Sequence, residues 1–303
     1  MSINSQLLRI YAACALIGRK PEPPIIVFTS TKEGNLALGN LIPMLPMLKA
    51  LENFRTFVVC GDKELQDLIY YNFPTMYLSS FEELPRVFIK TSISNFLCQN
   101  RETAKKIIDL RIPCRIGHVG LNNKYKWLYT HVRNSNNETP EEFMNNQLVD
   151  PLGLCPQPYQ LRLLPIDITV PKYDILIQTH SSGNPEKNYP HYAEVIKLLK
   201  KDYKIGLIGN DAEREYSEKF ADKKVKNLCG LYSLTETFHL INGAELVIGN
   251  DGGLLKVSDN LSIPSIQIFR QWSPVKIRCA IKQTNLVDPN PKEVVKIIRS
   301  KLK

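Results

Sequence analysis

ELVIGNDGGLLKVSDNLSIPSIQIF, residues 245–269, contains a complete turn of an α/β fold. An apolar run ends on Asn250-Asp251-Gly252-Gly253, a short stretch with helical spacing follows, and a second apolar run begins after Pro264. Strand, helix, strand over so few residues predicts neighbouring parallel strands. In open sheets of this kind ligands bind beyond the carboxyl ends of the strands, where helix N-termini offer unpaired N–H groups to anions. Asp251 stands at such an end. Gly252 and Gly253 allow close backbone approach and positive φ, so the helix start suits a diphosphate. The alternative is a tight strand-to-helix turn with Asp251 as the N-cap.

The same alternation extends outward in both directions. PIIVFTS (24–30), RTFVVCG (55–61), RVFIKTS (86–92) and PCRIGHVG (113–120) are strand candidates. KELQDLIYYNF and ETAKKIIDLR are helices between them. Between residues 122 and 170 the pattern loosens, and the proline-rich DPLGLCPQPYQLRLLPIDITVP predicts a linker near 155–172. Alternation restarts with YDILIQTH, HYAEVIKLLKK, KIGLIG and DAEREYSEKFA, and ends on the helix PKEVVKIIRSKLK. The expectation is an α/β protein of two Rossmann-like domains, residues 1–160 and 161–303, facing across a cleft. The last helix is expected to pack back toward the N-terminal domain.

Composition narrows the class. The chain has 303 residues, 43% hydrophobic and 23% charged, with a formal net charge of +9. That balance favours anionic partners. Without an arginine-rich arm, zinc-finger spacing or an aromatic RNA-binding motif, nucleic acid is not expected. The seven cysteines are scattered, odd in number and free of Cys-x-x-Cys spacing, which suits reduced thiols in the cytoplasm better than a disulfide framework or zinc site. Residues 4–18 read as an amphipathic or buried helix. Arg9 interrupts them, and the apolar run that follows is about half the roughly 20 residues of a membrane span. Peripheral contact with the inner membrane surface is compatible with that segment.

Taken in order, these segments resemble glycosyltransferase family 9, the bacterial heptosyltransferases. The family's C-terminal signature runs Asp-Thr/Ser-Gly-x-x-His-x-Ala-x-x-Leu before a PxxxxF strand. Asp251, Gly253, Leu261, Pro264 and Phe269 keep their places, and Ser258 stands where a small residue belongs. THSSGNPEKNYP is similar to the family's nucleotide-site segment, with Lys187, Tyr189 and Pro190 on its Lys-x-Trp-Pro positions. IGLIGNDAERE resembles the GxxxE segment, which would put Glu213 at the nucleotide ribose, with Glu215 as its one-turn competitor. LRIPCRIGHVG is similar to the N-terminal aGxxxRIG segment. The resemblance covers roughly residues 24–300.

It implies a GT-B fold with the nucleotide-sugar site in the C-terminal half, formed by Ser181, Ser182, Lys187, Glu213, Asp251, Gly252 and Gly253. It implies inverting transfer of a sugar, by family a heptose from ADP-heptose, to an anionic glycan or glycolipid acceptor of the lipopolysaccharide type, with no metal cofactor. Two positions depart from the pattern. Counting back from Pro46 and Leu48, the family's Gly-Asp becomes Gly39-Asn40. The aspartate there is the proposed general base, and asparagine orients a hydroxyl but takes no proton. Glu33, the carboxylate of the preceding loop, is the candidate substitute; the alternative is a solvated loop glutamate. Lys256 replaces the family histidine and supplies a permanent charge to the departing diphosphate. The rival reading is a relative that binds a nucleotide sugar or a partner without transferring anything. His180, beside the presumed phosphate loop, is a further ligand-contact candidate. His118, His131, His191 and His239 show no metal-ligand spacing.

Overall fold

A computed structural model describes residues 20–29, 38–81, 83–84, 87–95, 98, 100–119, 123–134, 139–181, 185–270 and 283–302. The chain divides into two compact units, 1–159 and 160–303. In the first, the strands are β1 (Ile25–Phe28), β2 (Thr56–Val59), β3 (Tyr77–Ser79), β4 (Thr91–Ser94), β5 (Cys114–Val119) and β6 (His131–Asn134). They form one parallel sheet of order β3-β2-β1-β4-β5-β6. Its helices are α1 (Leu38–Leu41), α2 (Leu45–Ala50), α3 (Lys63–Asn72), α4 (Arg101–Asp109) and α5 (Glu141–Gln147).

The second unit repeats the plan. Its strands are β7 (Ile175–Gln178), β8 (Ile205–Leu207), β9 (Val225–Asn227), β10 (Leu246–Asn250), β11 (Ser265–Phe269) and β12 (Gln283–Val287). All pair in parallel, in the order β12-β11-β10-β7-β8-β9. The helices are α6 (Tyr192–Leu199), α7 (Arg214–Glu218), α8 (Leu234–Asn242), α9 (Gly253–Asn260) and α10 (Pro291–Lys301). Each unit therefore has the Rossmann-like strand order, with a switch point between β1 and β4 in one and between β7 and β10 in the other.

Central strands explain why the sequence pattern was so plain. β1, β2, β7 and β10 are buried at every residue, as expected for parallel strands covered on both faces. Helix starts are set locally: Asp62, Asn100, Ser233 and Asn290 each accept a hydrogen bond from the backbone N–H three residues on, closing α3, α4, α8 and α10. Around the unit boundary, the Tyr159 hydroxyl donates to Asn72 Oδ1 at 3.0 Å within the first unit. Leu161 N–H donates to Asn260 Oδ1 at 2.7 Å within the second.

The last helix is anchored in its own unit. α10 buries Val294, Val295 and Ile298 in the core of its own unit, with Val195, Ile196 and Leu199 of α6 in the same cluster. Arg299 adds a contact to Asp202 at 2.9 Å. The helix carries one apolar stripe, and the second sheet's own helix layer takes it up. Strand "RVFIKTS" is also displaced: the paired residues are Thr91–Ser94, toward the end of that run and beyond it. Five cysteines among the described residues, at 60, 98, 114, 155 and 229, are free thiols. Burial pushes the Cys60 thiol up to about 11. Among the described residues no helix is long and apolar enough to cross a membrane.

Candidate functional site

At the second switch point the carboxyl ends of β7 and β10 lie side by side, with Gly249 opposite Gln178 in the register. Asp251 follows β10 directly. It is not the N-cap of α9; that position belongs to Gly252, which makes no side-chain cap. Gly252 has φ −160°, an extended conformation open to any residue, so no positive φ is needed there. Close approach is the reason for glycine instead: a Cβ on Gly252 would lie 3.0 Å from Gln178 Oε1.

The Asp251 carboxylate is held from two sides. Lys187 Nζ donates to Oδ2 at 2.7 Å, and Gln267 Nε2 donates to Oδ1 at 2.9 Å. Gln267 Oε1 in turn accepts from Gln283 Nε2. The Lys187 and Asp251 side chains are only 25% and 20% exposed. Gln178 is buried, and its Oε1 has no hydrogen-bond partner among the described residues. A buried acceptor of that kind at the start of an uncapped helix is a place for a ligand or an ordered water.

A second polar layer ties the phosphate-loop candidate to β10. Asn250, fully buried, accepts from the Tyr189 backbone N–H at 2.9 Å and from the Tyr192 hydroxyl at 3.2 Å. Its Nδ2 donates to Asn188 Oδ1 at 3.2 Å, and the same oxygen accepts from the Ser181 N–H at 2.7 Å. Asn188 Nδ2 meets His180 Nδ1 at 2.7 Å. Arg270 Nη1 reaches the Asn188 carbonyl at 3.4 Å, bringing a further cation to this end of the sheet.

Lys187, Asp251, Gly252 and Ser181 are thus brought together, though the Ser181 N–H is committed to Asn188. Lys256 lies one turn into α9, partly exposed, its N–H directed to the Gly252 carbonyl at 3.4 Å. Glu213 is 4% exposed and forms a reciprocal cap: its carboxylate accepts from Asn210 N–H and its own N–H donates to Asn210 Oδ1, both at 3.1 Å. A Cβ on Gly209 would collide with Glu213 Oε2. Asn40 lies in α1 of the first unit, partly buried, downstream of the carboxyl end of β1. Glu33 and Ser182 lie outside the described residues.

Asn188, Asn250, Gln178, Gln267 and Gln283 carry this site and were not read from the sequence. A signal was present, because ILIQ and SIQIF each carry a glutamine in a strand that is buried at every residue. Among the described residues no group of three or more His, Cys, Asp or Glu side chains could hold a metal ion.

Comparisons with known proteins agree with this architecture. The family model described as glycosyltransferase family 9 (heptosyltransferase) matches residues 131–296. The ADP-heptose LPS heptosyltransferase II of E. coli superposes with a TM-score of 0.71 at 17% identity, over 92% of this chain and 98% of its own. A family 9 glycosyl transferase from Veillonella parvula gives 0.72 at 15%, over 94% and 98%. The E. coli heptosyltransferase WaaC with ADP gives 0.70 at 16%, over 91% and 99%. No curated protein matches the sequence.

Proposed function

This chain belongs to glycosyltransferase family 9, and on that premise we propose that it moves a heptose from ADP-heptose, with inversion, onto an anionic glycan or glycolipid of the lipopolysaccharide type. The observation that carries the reading is the Lys187–Asp251 pair, 2.7 Å apart beside the uncapped start of α9 at the second switch point. Similarity to a heptosyltransferase solved with ADP supports the choice of nucleotide.

In this reading the second unit binds the donor and the first the acceptor. Lys187 turns from Asp251 to the diphosphate, whose oxygens also meet the N–H groups of Gly252 and Gly253 at the start of α9. Asp251, released from Lys187 and still held by Gln267, accepts from hydroxyls of the donor sugar. Lys256 adds fixed positive charge as the nucleotide diphosphate departs. The buried Glu213 faces the ribose with whatever acceptor capacity its cap leaves. The acceptor hydroxyl attacks the anomeric carbon from the face opposite the diphosphate, and its proton passes to Glu33, while Asn40 orients that hydroxyl. No metal takes part. We place the reaction in the cytoplasm at the inner membrane face, with residues 4–18 as the contact.

The amide at position 40 favours one second reading, a relative that binds the nucleotide sugar without transferring it. Incubation with labelled ADP-heptose and other nucleotide sugars, followed as release of free nucleotide, separates the two. Turnover supports transfer. Donor binding with no nucleotide release supports the non-catalytic relative.

A further inference from the structure

The second polar layer fixes the position of one proton. A backbone N–H can only donate, so the Asn250 atom facing Tyr189 N–H is Oδ1, and Nδ2 is the atom presented to Asn188. Likewise the Asn188 atom facing the Ser181 N–H is Oδ1. That oxygen receives two donors and cannot exchange places with the amide nitrogen without opposing both. Asn188 Nδ2 therefore points at His180 Nδ1, and the contact of 2.7 Å requires Nδ1 to be the acceptor. Two independent backbone donors thus settle the tautomer. The ring plane is set as well: His180 stacks on Tyr216 with centroids 4.3 Å apart and planes 28° from parallel.

Nε2 then carries the hydrogen. It has no hydrogen-bond partner among the described residues, and His180 is only partly buried, two residues past the end of β7 and at the start of the loop that presents Lys187. We infer that His180 is a further donor-binding residue, fixed by Asn188 and Asn250 as an Nε2–H donor to a phosphate oxygen of the nucleotide diphosphate. Asn188 and Asn250 are its positioning residues. The inference rests on the donor-site reading given above.

The test has two arms. In the wild-type protein, nitrogen NMR of labelled histidine, with His180 assigned by its loss in a His180→Gln variant, is expected to show a bare Nδ1 and a protonated Nε2. A proton on Nδ1 overturns the inference. In the second arm, ADP and UDP affinities are measured by calorimetry for wild type, His180→Gln and His180→Asn. Glutamine places its amide nitrogen near the Nε2 position, whereas asparagine reaches only the Nδ1 position. His180→Gln is expected to stay within about twofold of wild type and His180→Asn to lose about five- to tenfold, the worth of one hydrogen bond. Equal loss in both variants, or none in either, overturns the role of His180 while leaving the donor site standing. A wild-type protein that binds neither ADP nor UDP overturns the donor-site reading itself.

Discussion

The two units have the same strand order, and among the described residues their switch points differ in chemistry. Around the first switch point the described residues are neutral: Thr29 bonds back to Val59 O, and Asn95 accepts from the Cys98 N–H and approaches Met44 Sδ. Around the second, a lysine and an aspartate pair beyond the strand ends, two amides and a histidine are wired together behind them, and Gln267 holds the aspartate from the other side. Topology supplies the location of a site and says nothing of its content. The content comes from a few polar residues inserted where neighbouring strands would otherwise be apolar.

The largest expected effect tests the neutral side of that contrast. If Glu33 supplies the base that position 40 lacks, Glu33→Gln lowers turnover at least about a hundredfold, the lower end of general-base assistance. If it does not, transfer by the wild type is slow and Asn40→Asp raises the rate. Steady-state nucleotide release measures both, and robust transfer indifferent to both substitutions would refute the alignment of that loop.

Stability should follow the same division. Asn250→Leu leaves the Tyr189 N–H and the Tyr192 hydroxyl without their acceptor and deprives Asn188 of a donor. A loss of about 3–4 kcal/mol in urea denaturation is expected for buried groups stranded in this way. Asn95→Leu in the first unit, which removes the side-chain acceptor of the Cys98 N–H, should cost about 1–2 kcal/mol. Equal losses would mean that the second network has no special mechanical role.

The first unit has its own buried imidazole. His118 Nε2 bonds to Met144 O at 2.9 Å, and burial lowers its pKa from 6.5 to about 4. The folded protein keeps it uncharged while the unfolded chain takes up a proton below pH 6.5, so stability falls as pH drops from 6.5 toward about 4. The loss reaches roughly 3 kcal/mol at the acid end of that window. Denaturation curves at several pH values should show it. His118→Phe, although less stable overall, should flatten the profile; an unchanged slope would remove His118 as the cause.

Lys187→Ala should weaken ADP and UDP binding by about 1.5–3 kcal/mol, the value of a charge-assisted phosphate contact. Unchanged calorimetric affinity for both nucleotides would count against placing the diphosphate at the second switch point, and the contrast between the two units would then lose its functional meaning.

By itself the sequence located four of the inner strands. IIVF, TFVV, ILIQ and LVIGN read as strands because a parallel strand covered on both faces needs apolar residues at nearly every position. The linear motifs also singled out Lys187 and Asp251, each within its own segment, and the fold pairs the two side chains. What it did not reveal were the four outer strands: YLS, HVRN, VKN and QTNLV lie at the edges of the two sheets. An edge strand has one ladder and at least one wet face, so its pairing comes from backbone groups that leave no apolar signature. The helix starting at Pro291 had its stripe in plain view, but which layer would bury it depended on the groove beside α6. The amide network was hidden for the same reason. Asn188 and Asn250 are 62 residues apart, and only the crossover that sets β10 against β7 brings a donor on one within reach of an acceptor on the other.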